Sequence, residues 1–114
     1  MKTTKFILVA AAVTVVVVFL FSETALAHKV NLFAYAQGGK IYTESYFPDG
    51  RPVEGGKVLV YDSNDKLLLE GMTDKEGLFS FDIPKVDDLN IVIEATMGHK
   101  NSFKLKKSEV EAGK

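Results

Sequence analysis

Along Leu89 to Met97, Leu89, Ile91, Ile93, Ala95 and Met97 fall on one face of an extended chain. Asn90, Val92, Glu94 and Thr96 fall on the other. A period of two is how a strand reads when one face is buried in a core. The same period recurs at Val58 and Val60 within Lys57 to Asp62, and at Phe79, Phe81 and Ile83 within Leu78 to Ile83. Further strands are predicted over Lys29 to Gln37, Lys40 to Phe47, Leu67 to Glu70 and His99 to Lys106. Between them stand Gly38-Gly39, Pro48-Asp49-Gly50-Arg51-Pro52, Ser63-Asn64-Asp65, Thr73 to Gly77, and the Pro84 to Asp88 connector. These are turn residues by mechanism, since Gly reaches positive φ, Pro fixes φ, and Asp or Asn bonds its own backbone. Seven short strands punctuated in this way, with no sustained helical period after His28, predict an all-β, seven-stranded Greek-key sandwich.

The first part of the chain does not belong to that pattern. Met1 to Lys5 is short and positive, Phe6 to Phe21 is apolar apart from Thr14, and Ser22 to Ala27 ends in Ala25-Leu26-Ala27. The small-x-small ending is what signal peptidase accepts, so residues 1–27 are expected to be a cleaved helical signal peptide. The alternative is an uncleaved N-terminal membrane anchor, which needs about 20 apolar residues. Residues 28–106 then form the sandwich domain and 107–114 a flexible polar tail. Ser108 and Glu111 have capping-box spacing there, but so short a helix is not stable alone. Export leaves the domain outside the cytoplasm, in the periplasm or at the cell surface. With no cysteine, it has no disulfide to supplement a small core. A net charge of −1, with no basic stripe, argues against nucleic acid.

Two resemblances follow from particular residues. The run from Gly50-Arg51-Pro52-Val53 through Gly56 to Asp62, with Gly71 and Thr73-Asp74-Lys75-Glu76-Gly77-Leu78-Phe79-Ser80-Phe81, resembles the carboxypeptidase regulatory-like (transthyretin-related) sandwich. Its T-D-x-x-G-x-F-x-F block implies a turn capped by Asp74, a positive φ at Gly77 and alternate aromatics entering the core. The block concerns fold and not ligand. A second resemblance joins His28 to Ala34, Tyr46 to Pro52 and Ala95 to His99. These segments resemble the small extracytoplasmic components that accompany nickel and cobalt uptake transporters of the energy-coupling type. That resemblance implies a protein that captures the ion outside the membrane or assists a membrane transporter component in taking it.

The histidines carry the chemistry. Cleavage after Ala27 makes His28 N-terminal, so its α-amine and imidazole Nδ1 can close a chelate ring on one ion. The amine's ordinary pKa near 8 lets a borderline metal displace its proton at neutral pH. His99 follows Gly98, between the sixth and seventh strands. In an immunoglobulin-like order the start of the first strand, the second-to-third loop and the sixth-to-seventh loop share one pole. His28, the Pro48–Pro52 loop and His99 are therefore expected together. Two imidazoles and an amine suit Ni²⁺ or Cu²⁺, with Asp49 a candidate oxygen ligand or second partner. The plain alternative is an arbitrary polar residue at a cleavage site and a surface histidine on a turn.

Other chemistries find no support in the sequence. No D-x-D-x-D-G calcium loop occurs, and the serines have no G-x-S-x-G context. Met72 and Met97 are too few for a copper(I) array, and Met97 falls on the core-facing register. Tyr35, Tyr42, Tyr46 and Tyr61 are expected to fill the sandwich faces and not to form a carbohydrate platform. No enzyme activity is expected of so small a sandwich. Three functions stay open: a nickel or cobalt accessory using His28 and His99, a copper-handling exported domain with the same ligands, and a non-metal interaction module. The last would use a sheet edge or pole, and neither histidine would matter to it.

Overall fold

The computed structural model describes residues 29–114. The signal segment expected over residues 1–27, and His28, lie outside the described residues. Among the described residues no helix is long and apolar enough to cross a membrane.

All seven expected strands form: β1 (Asn31–Gln37), β2 (Lys40–Tyr46), β3 (Lys57–Tyr61), β4 (Leu67–Met72), β5 (Leu78–Asp82), β6 (Leu89–Glu94) and β7 (Lys100–Leu105). They make two antiparallel sheets, ordered β1-β2-β5 and β4-β3-β6-β7. In the constant-type immunoglobulin arrangement the fourth strand lies in the four-stranded sheet beside the fifth. Here β4 pairs with β3 in the opposite sheet, leaving β5 and β4 as edge strands on one flank. On the other flank β1 and β7 pack against each other.

Alternation sets which side chains meet. Val30, Leu32, Ala34, Ile41 and Phe81 on the β1-β2-β5 side face Val58, Val60, Leu89, Ile91, Ile93 and Leu105 of the other sheet in one core, and all of these are buried. Polar groups that alternation carries inward are satisfied by backbone. Thr43 Oγ1 donates to the Phe79 carbonyl at 2.8 Å, and Ser45 Oγ donates to that of Gly77 at 3.1 Å. The bonds tie β2 to β5 and to the turn before it without leaving a buried hydroxyl unmatched, which would cost about 1–3 kcal/mol each.

The turns follow their residue chemistry. Gly38 and Gly39 have φ of 60° and 82°, the positive pair a two-residue hairpin requires. In the T-D-x-x-G turn, Asp74 Oδ1 accepts from the Glu76 and Leu78 amides at 2.9 and 3.0 Å. Gly77 has φ of 76°, and a Cβ there would lie 2.4 Å from the Ser45 carbonyl oxygen.

Two expectations give way. The tail expected to be flexible over 107–114 contains a helix, α1 (Lys107–Ala112), whose Val110 is completely buried. Its amide cap is not a Ser108–Glu111 box. Asp88 Oδ1, from the connector before β6, accepts from the Lys107 amide at 2.7 Å. The Gly113 carbonyl accepts from the Gly39 amide at 2.9 Å, seating the helix end on the first hairpin. Tertiary burial supplies what local propensity lacks. Met97, expected on the core face, is 83% exposed. The strand ends at Glu94, and residues 96–98 form a single 3₁₀ turn in which Met97 has φ of 63°. That turn rotates Met97 out of the register that would have buried it.

Candidate functional site

One pole of the sandwich gathers three segments distant in sequence. The register of β1 with β2 puts Asn31 opposite Tyr46, so the chain enters the fold beside the Phe47–Pro52 loop. Asn101 Nδ2, at the start of β7, donates to the Val30 carbonyl at 2.6 Å. The entry of β1 is thereby fastened to the segment that follows the 96–98 turn.

His99 closes that turn. Its carbonyl accepts from the Ala95 amide at 2.8 Å, and its backbone returns to the extended region as β7 begins. The imidazole is half-buried, with Nδ1 shielded from solvent. It meets the Phe47 ring edge-on, with centroids 5.5 Å apart and planes at 74°. This is the T-shaped geometry that the aromatic quadrupole favours. The Arg51 guanidinium lies 5.1 Å from the centroid of the same Phe47 ring. Phe47 thus connects His99 to the loop that carries Asp49 and Arg51.

Asp49 is already committed. Its Oδ1 accepts from the Arg51 amide at 3.0 Å, and its Oδ2 from Arg51 Nε at 2.6 Å. The Arg51 amide and then its guanidinium hold the Asp49 carboxyl below the usual carboxylate range. Both oxygens therefore serve the loop, where a side chain curls back on its own turn.

Of the two sequence-derived ligands, the structure describes His99 and gives it ordered packing; His28 lies outside the described residues. Among the described residues no group of three or more His, Asp or Glu side chains is arranged to hold a metal ion. The expected donor set draws two of its three nitrogens from residue 28, so the described part of the pole supplies a single imidazole. Phe47 and Arg51 were not expected to matter. Their role arises because the Phe47 ring, with Arg51 over it, packs on a histidine 52 residues further along, a relation no local pattern encodes.

The outer face of β1-β2-β5 was also missed. Phe33 and Tyr35 are 56% and 46% exposed, and Tyr35 stacks on Tyr42 with centroids 5.3 Å apart. Tyr46 donates its hydroxyl to Glu44 Oε1 at 2.9 Å. These tyrosines do cover a sandwich face, but the outer one. Comparison of the chain with protein-family models, with curated proteins and with solved structures gave no match.

Proposed function

We propose that the protein is an exported metal-binding accessory of a nickel or cobalt uptake system, working beside a membrane transporter component. The ion is chelated by the His28 amine and Nδ1 and completed by His99. The observation that supports this reading is the 2.6 Å bond from Asn101 to Val30. His28 precedes Val30 by two residues, and His99 precedes Asn101 by two. Two residues of chain span at most about 7 Å, so the tether limits how far a chain beginning at His28 can start from the β7 entry. Because Nδ1 of His99 is buried, its contribution to an arriving ion is through Nε2. Imidazole and amine donors suit Ni²⁺, and the divalent series gives Cu²⁺ the same ligands with higher intrinsic affinity.

Calorimetric titration of the chain beginning at His28 with Ni²⁺, Co²⁺, Cu²⁺ and Zn²⁺ tests the chelate. One-to-one binding is expected. An extra alanine before His28 should weaken it by about tenfold, or 1.4 kcal/mol, and His99→Ala should weaken it independently. Binding unaffected by the added alanine would overturn the N-terminal chelate.

A further inference from the structure

The flank where β4 and β5 lie at the edges of opposite sheets carries a second surface, separate from the pole. Along the outer face of β1-β2-β5 the register sets two rows: Tyr35, Tyr42 and Ser80, then Phe33, Glu44 and Leu78. A groove of 610 Å³ crosses β5 from the stacked Tyr35–Tyr42 pair to Met72 at the end of β4, with Glu44, Asp74 and Leu78 in its walls. None of its lining residues is Lys, Arg or His. Lys40, two residues along β2 from Tyr42, is already paired with Asp82 at 3.0 Å.

Three properties of the groove point to the same occupant. Exposed Phe33, Tyr35 and Met72 make an apolar rim of the kind that marks protein contacts. The carboxylates of Glu44 and Asp74 give it one sign of charge, and the hydrogen bond to Glu44, then burial, then the charges of Glu44 and Glu76 raise the Tyr46 hydroxyl pKa. The tyrosine rings offer negative π-faces to a cation, and a planar guanidinium both stacks on such faces and forks onto a carboxylate. An edge strand beneath the groove suits an extended segment lying alongside it. We propose that the groove over β5, between the Tyr35–Tyr42 pair and Met72, docks an arginine-bearing segment of a protein partner.

The test is amide chemical-shift mapping on the ¹⁵N-labelled full chain with an acetylated tetra-arginine peptide, beside tetra-lysine and tetra-glutamate. Shifts should cluster at Tyr35, Tyr42, Glu44, Leu78 and Ser80, and tetra-lysine should bind more weakly because it cannot stack as a plane. Glu44→Gln and, separately, Tyr42→Ala should each weaken tetra-arginine by about fivefold, with dispersed spectra confirming that both variants fold. Shifts centred on Asp62, Asp65 and Asp88 would overturn the assignment, as would equal binding by the Glu44→Gln variant. Concentration-dependent shifts of the same residues without peptide would put a second copy of the chain in the groove and also overturn it.

Discussion

Gly77 shows how much one residue can decide. With φ of 76° and the Ser45 carbonyl oxygen 2.4 Å from the place a Cβ would occupy, Gly77→Ala meets both backbone strain and a clash with another strand. A loss of about 3 kcal/mol is expected in urea unfolding. Gly38→Ala has a similar φ but nothing within 4 Å of its Cβ, so its cost should be only about 1 kcal/mol. Equal losses would mean that φ alone controls both sites. Acid stability has its own residue. Ser63 holds the Asp87 carboxyl down to about 2, first through its amide and then its hydroxyl, with the Asp88 amide and Lys85 adding. A lowered folded pKa stabilises fully above the unfolded value near 3.9 and is lost as pH falls through 2. Asp87→Asn should therefore flatten the decline in unfolding midpoint between pH 4 and pH 2; an unchanged slope would put that dependence elsewhere.

At the scale of elements, α1 is the clearest test of tertiary over local stability. Val110→Ala removes two buried carbons from a fully enclosed side chain and should cost about 2 kcal/mol. The amide of Gly39, bonded to the Gly113 carbonyl, should lose hydrogen-exchange protection in the same variant. Retained protection would show that the helix end docks without Val110. This helix was illegible in the sequence because both its buried anchor and its cap at Asp88 depend on distant elements. The strands were legible because their information is local: Ile91 and Ile93 alternate, Gly38-Gly39 and Asp74 to Gly77 make their own turns. Where a strand ends in a left-handed turn, as at Met97, alternation keeps counting past the point where the backbone has changed direction. The pairing of β4 with β3 was legible in the short hairpin turn over Asp62 to Asp65, although Leu67 to Met72 by itself reads as a strand whichever sheet receives it. A ring also sits over Gly71, where a Cβ would come within 2.2 Å of Phe79, and no local pattern pairs those two residues.

For the whole molecule, topology sets two surfaces apart. Closure of β1 on β7 and the Asn101–Val30 bond gather the chain entry, the Phe47–Pro52 loop and His99 at one pole. The opposite choice at β4 and β5 leaves an open, aromatic and acidic flank. The metal proposal belongs to the pole and the arginine proposal to the flank, so failure of one leaves the other standing. The sequence carried His99 but not the packing that orients it at the pole, because Phe47 reaches it only after folding.

The most direct measurement of the central claim is paramagnetic Co²⁺ titration of the ¹⁵N-labelled chain beginning at His28. Amides of residues 29–31, 46–47, 49–51 and 95–101 should broaden first and saturate at one equivalent, and the effect should weaken in His99→Ala. Broadening that starts instead around Asp62, Asp65 and Asp88, or that leaves the His99 turn untouched, would contradict a metal site at the pole.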